Sequence, residues 1–127
     1  MPDGERIFGD HKTVRGLLSG LIVGVIVGMF ESFLSASNMT IMAALASAGA
    51  LLGDLGGAFI KRRMRIKPGR PLPGVDQLDF VIGAVLAVSL IHTPSPGTLL
   101  ILFCVTPPIH LLTNISAYKL GLKSNYW

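Results

Sequence analysis

The sequence predicts an all-α fold: a polytopic integral membrane bundle of about four transmembrane helices, with a cytoplasmic loop between the second and third. Three observations predict it. Half of the 127 residues are apolar and only 14% are charged, whereas charged residues make up about a quarter of a soluble domain. The mean hydropathy is +0.61, and the apolar residues fall into runs approaching the length that crosses a bilayer. Finally, all eleven Lys and Arg lie in segments that four spans would place on one side.

Residues 1–16 are polar and glycine-punctuated, so they lie outside the membrane, and their mixed charge gives no signal peptide. A first span runs from about Leu17 to Leu34 and a second from about Met39 to Ile60. A third, Phe80 to about Thr93, is short for a bilayer that needs about 20 helical residues, so it borrows loop residues or is shielded by its neighbours. The fourth runs from about Thr98 to Tyr118, with a kink expected at Pro107 and Pro108. Ser35–Asn38 and His92–Gly97 are short enough only for hairpins between antiparallel helices. One single-core domain over residues 1–127 is the natural organisation.

The cations set the orientation. Arg6, Lys12 and Arg15 precede span one, six lie between Lys61 and Arg70, and Lys119 and Lys123 follow span four. The hairpin turns contain none, so the basic face is expected to be cytoplasmic. This clustering beside membrane spans accounts for the net charge of +4 without nucleic acid. The lone Cys104 offers neither a disulfide framework nor a thiolate metal site and reads as a small buried hydrophobe. Small residues at Gly20, Gly24 and Gly28, and from Ala43 to Ala50, let helix backbones approach closely. They serve packing within the chain or between protomers, which leaves a homodimer open.

Chemistry concentrates between Gly53 and Asp79. Asp54 is a carboxylate inside an apolar span, and such a charge is by default a functional-site hypothesis. Asp54, Gly57, Ala58 and Lys61 share one helical face, with an acid at the floor of a small-residue groove and a cation at its mouth. After a Pro/Gly-rich loop come Asp76 and Asp79, three apart and pointing together if a helix begins there. Three oxygen donors without cysteine suit a hard cation such as Mg²⁺, which usually also binds substrate phosphates. The plainer reading makes Asp76 a helix cap and Asp79 a partner of the helix dipole. Likewise, the basic run, above all Arg63 and Arg65, has a plain role as an anchor on anionic headgroups. Lys12, Thr13, Arg15 and Gly16 form a weak phosphate-binding signal where span one starts, with His11 beside it. No phosphate-loop or dinucleotide fingerprint occurs. His92 reads as a solvated turn residue. His110 and Asn114 share a face of span four, where polar groups more often bridge helices than perform chemistry. Glu31 lies near the opposite surface and has no assigned role.

These residues resemble the CTP-dependent cytidylyltransferases that make CDP-activated lipids. Their signature runs roughly S-x-x-K-R, a basic stretch, L-P-G-H-G-G and D-R-x-D. Here Ala58-Phe-Ile-Lys61-Arg62, Leu72-Pro73-Gly74 and Asp76-Gln77-Leu78-Asp79 follow that order, preceded by Gly53-Asp54-Leu55. Lys12-Thr13-Val14-Arg15-Gly16 echoes an upstream K-T-x-E-G element. The serine is Ala58, the H-G-G is absent and the arginine of D-R-x-D is Gln77, departures that point to the compact archaeal branch, the CDP-archaeol synthases. That branch looks similar over nearly the whole chain, including Arg6-Ile7-Phe8-Gly9-Asp10 and the stretch from His110 to Gly121. There another hydrophobic segment usually precedes the point where this sequence starts, so the resemblance implies a trimmed chain.

The resemblance implies that the phosphate of an unsaturated archaetidic acid attacks the α-phosphorus of CTP in the membrane, giving CDP-archaeol and pyrophosphate. It implies Mg²⁺ as cofactor on Asp54, Asp76 and Asp79, with Asp54, Asp79 and Lys61 as catalytic groups. Lys12, Thr13, Arg15, Arg62, Lys67 and Asn114 would bind substrate, CTP or the isoprenoid glycerol phosphate lipid. The reading from another class is a small transporter or channel subunit with Asp54 on an ion path, and a third is a purely structural membrane protein. CDP-alcohol phosphotransferases need a D-G-x-x-A-R motif, which the sequence lacks.

Overall fold

The structure, a computed structural model, describes residues 14–35, 39–66, 72 and 74–122. Its four helices are α1 (Val14–Ser35), α2 (Thr40–Arg63), α3 (Val75–Val88) and α4 (Pro96–Lys119). Strands are absent among the described residues. Among the described residues, three helices are long and apolar enough to cross a membrane: α1, α2 and α4. Helix α3, with 14 residues, extends only about 21 Å at ~1.5 Å per residue, short of the ~30 Å hydrocarbon thickness.

The helix starts follow local chemistry. At α4, Ser95 is the N-cap, its side chain accepting the Thr98 N–H at 3.1 Å, and Pro96 takes the first turn, where a missing N–H costs nothing. Helical backbone then continues through Pro107 and Pro108. At α3 the boundary differs from the expected Phe80–Thr93: the helix starts five residues earlier and ends five residues earlier. The reason is Gly74, whose φ of +87° reverses the chain in a region that suits glycine. Asp76 N–H then bonds Leu72 O and Leu78 N–H bonds Gly74 O, both at 3.1 Å. Both aspartates therefore lie within α3.

At its other end, α2 closes with a Schellman arrangement. The Arg65 N–H donates to Arg62 O and the Ile66 N–H to Lys61 O, each at 3.0 Å. Arg65 has φ +56°, where glycine is the usual residue. The basic run thus does more than anchor, since one of its members turns the chain out of α2.

Each helix packs on its neighbours in the chain: α1 on α2, α2 on α3, and α3 on α4. The glycines of α1 are used inside the chain. A side chain on Gly24 would meet Ser47 and one on Gly28 would meet Ala43. Ser32 ties the same hairpin, accepting the Met39 N–H at 2.8 Å and sharing a 3.1 Å hydrogen bond with Thr40. Between α2 and α3 the approach is closer still. A methyl on Gly49 would strike the Gly83 carbonyl oxygen, and one on Gly83 the Gly49 carbonyl oxygen.

Large apolar side chains point outward, whereas Val81 is the only buried large one among the described residues. Small residues inside and large apolar ones outside is the arrangement expected where lipid, not water, surrounds the helices. Cys104 follows this pattern. Expected buried, it is exposed, because among the described residues α4 packs only on α3 and turns its other faces outward.

Candidate functional site

The C-terminal half of α2, the N-terminal half of α3 and the C-terminal half of α4 lie at the same end of the helical layer, because successive helices run antiparallel. On α2, Asp54, Gly57, Ala58 and Lys61 form the expected face. Asp54, Ala58 and Lys61 are half-buried and Gly57 is buried. Lys61 reaches across to α3, where its Nζ donates to Asp76 Oδ1 at 2.9 Å and Oδ2 at 2.8 Å. Asp76 Oδ2 also accepts the Leu72 N–H at 2.9 Å. Asp76 is therefore neither the helix cap, a place taken by Gly74, nor an isolated carboxylate. It fastens the end of the basic loop and the start of α3 to α2.

Asp79 lies one turn further along α3. Its Oδ1 accepts the N–H of Phe80 at 2.7 Å. Its carboxylate lies over Gly57, so closely that any β-carbon there would collide with it. Gly57 is three residues from Asp54, so the carboxylate of Asp79 reaches α2 about one turn from Asp54. Among the described residues, no three carboxylate, imidazole or thiol side chains converge as a ready-made metal cluster. Mg²⁺ does not require one: it keeps several waters and is commonly held by one or two carboxylates together with substrate phosphates. Asp54 and Asp79 fit that donor set.

Asn114 joins this end through α4. Its Nδ2 lies 3.4 Å from His110 Nδ1, and the His110 ring stacks at 6.0 Å, tilted 31°, against Phe80. The residue next to Asp79 thus makes a ring contact between α3 and α4. The expected helix-bridging role fits His110, and Asn114 lies one turn nearer the basic end. Arg62 is half-buried, while Arg15, in the first turn of α1, is exposed. Arg63 is exposed and its guanidinium lies 5.4 Å from the Phe59 ring centroid, as suits an anchor. Glu31, at the far end of α1, and His92, after α3, are both exposed and remote from the acids. Lys12, Thr13, Lys67 and His11 lie outside the described residues.

The groove expected on the face of Asp54, Gly57, Ala58 and Lys61 is displaced around α2 and shares only Gly57 with that face. A groove of about 730 Å³ runs between α2 and α3. Gly53, Gly56 and Gly57 floor it, Leu78 and Ile82 wall it, and Asp79 stands near its basic end. Its signal was the glycine spacing of α2 continuing past Ala50 to Gly57, matched by Gly83 on α3.

Comparison with known proteins agrees with this architecture. The family model described as "CarS-like: CDP-archaeol synthase" matches residues 1–127. A CDP-archaeol synthase of Thermofilum pendens is 47% identical over 98% of this chain, and one of Pyrococcus furiosus is 45% identical over 98%. The chain spans 61% of the first relative's length and 78% of the second's. A solved structure, described as an intramembrane enzyme for archaeal membrane lipids biosynthesis, superposes with a TM-score of 0.83 at 38% identity. That match covers 91% of this chain and 74% of the other. The chain belongs to the CDP-archaeol synthase family.

Proposed function

We propose that the chain is a CTP:lipid-phosphate cytidylyltransferase, making CDP-archaeol and pyrophosphate from CTP and 2,3-bis-O-geranylgeranyl-glycerol phosphate. The observation that carries this reading is the meeting, at Asp79, of an apolar groove with the end of the helices where Lys61 pairs with Asp76. A lipid phosphate presents the same two halves, tails and charge.

In the reaction a lipid phosphate oxygen forms a bond to the α-phosphorus of CTP. The bond from that phosphorus to the α,β-bridging oxygen breaks, and the electron pair leaves on pyrophosphate. Such transfer needs positioning and charge neutralisation more than covalent help. Lys61 and Arg62 on α2 grip phosphate oxygens, joined by Lys12, Thr13, Arg15 and Lys67 from the flanking segments. Asn114 supplies a neutral donor from α4. Asp54 and Asp79 would hold Mg²⁺, which would supply neutralisation of the phosphates' negative charge. The lipid enters sideways, its tails along the α2–α3 groove and its headgroup at the Asp79 end. The concentration of cations at this end makes it the cytoplasmic face, in the cell membrane, where CTP is available.

The decisive experiment is transfer of α-labelled CTP into an ether-linked isoprenoid glycerol phosphate by the purified chain in detergent with Mg²⁺. Label should enter the lipid phase and be absent after heat inactivation. No transfer, either by this chain or by one carrying an additional upstream hydrophobic segment, would favour a transporter instead.

The groove has its own test. A β-carbon on Gly56 meets nothing within 4 Å, so Gly56→Leu fills groove space without disturbing helix packing. The expected result is a lipid KM raised by about tenfold, as for displacing one or two methylenes from an apolar pocket, with the CTP KM unchanged. Equal effects on both substrates would remove the lipid from this groove.

A further inference from the structure

We propose that Asp76 is a positioning residue that holds the Lys61 ammonium away from Asp54 and Asp79, and is not itself a cation ligand. The inference rests on the cytidylyltransferase reading and deepens its cation site.

The geometry divides the three aspartates. Both oxygens of Asp76 receive Lys61 Nζ, at 2.9 and 2.8 Å, and Oδ2 takes the Leu72 N–H as well. The two side chains are 20% and 22% exposed, so the pair is partly withdrawn from solvent and is screened less than a surface pair. Asp79 takes a different posture, over Gly57 on α2. Gly57 is four residues, one helical turn, from Lys61. A lysine released from Asp76 therefore has the Asp79 carboxylate as a neighbour on its own side of the α2–α3 seam. Settled there, the ammonium would compete directly with a divalent cation for the same oxygens.

Asp76 thus acts through Lys61. The Leu72 hydrogen bond fixes the carboxylate that fixes the lysine, so the ammonium stands at the mouth of the site, where a triphosphate would meet it.

The test measures cation binding directly, with neither CTP nor lipid present, by titrating the full chain in detergent with Mn²⁺ and following free Mn²⁺ by electron paramagnetic resonance. Asp76→Asn should weaken Mn²⁺ binding by about tenfold, the lower end of the range for residues that orient a metal's ligands. The double variant Asp76→Asn/Lys61→Met, which removes both charges together, should bind within about threefold of the parent, because the competing ammonium is gone. Its thermal unfolding checks that the fold survives. A double variant as weak as Asp76→Asn alone would make Asp76 a ligand and overturn the proposal. An Asp76→Asn variant that binds as the parent does would overturn it too, since the lysine would then have no access to the pair. Failure of the parent to bind Mn²⁺ would remove the cation site altogether. Label transfer reports separately: its failure with the Mn²⁺ pattern intact would refute the reaction and leave the Lys61–Asp76 latch standing.

Discussion

Asp54→Asn and Asp79→Asn should each lower label transfer by on the order of 100-fold or more, the scale of losing one preorganised charge-stabilising group. Each substitution preserves size and one oxygen acceptor, so the helices should still pack. What disappears is the charge proposed to hold the cation against the phosphates. Asp79 is the more telling of the two. Its carboxylate lies on Gly57 and one oxygen takes the Phe80 N–H, so its position is set by two helices at once. Initial rates over a Mg²⁺ titration, with thermal unfolding of each variant alongside, would check the result. Full Mg²⁺-dependent turnover by Asp79→Asn would exclude that carboxylate from the site. Lys61→Met should not restore either variant, in contrast to Asp76→Asn.

The second large effect concerns stability. Gly83→Leu should destabilise the chain by about 2 kcal/mol or more, within or above the usual cost of overpacking a tight interface. Even the first carbon of the new side chain would strike the Gly49 carbonyl oxygen and the Gly53 backbone. Backbone cannot step aside as a side-chain tip can, so α2 and α3 must separate. That separation would also open the groove and draw Lys61 from Asp76, so activity should fall with stability. Gly97→Ala is the control, since a β-carbon there comes no closer than 3.8 Å to Ser95 Oγ. Thermal unfolding in detergent should show a lower midpoint for Gly83→Leu and an unchanged one for Gly97→Ala. Equal midpoints for Gly83→Leu and the parent would mean that the close crossing contributes nothing.

Much of the molecule is legible in the amino-acid sequence. Hydropathy is local and additive, so the runs that became α1, α2 and α4 stood out, and the clustering of cations placed their shared end. The 3.6-residue period put Asp54, Gly57, Ala58 and Lys61 on one face. Matched segments at both ends and the middle pointed to the family.

Tertiary structure decided what those faces meet. A helical period identifies a stripe but not its partner, so it could not say that Lys61 grips Asp76 or that His110 stacks on Phe80. The start of α3 was misplaced because apolar content marks where a span is greasy, whereas the left-handed Gly74 marks where it turns. Cys104 looked buried because an apolar neighbourhood means interior in water. In a membrane layer whose close contacts are made by glycine, the same neighbourhood faces outward. The groove depends on how closely two backbones approach, a distance set jointly by Gly49, Gly53 and Gly83 on separate helices and therefore by neither helix alone.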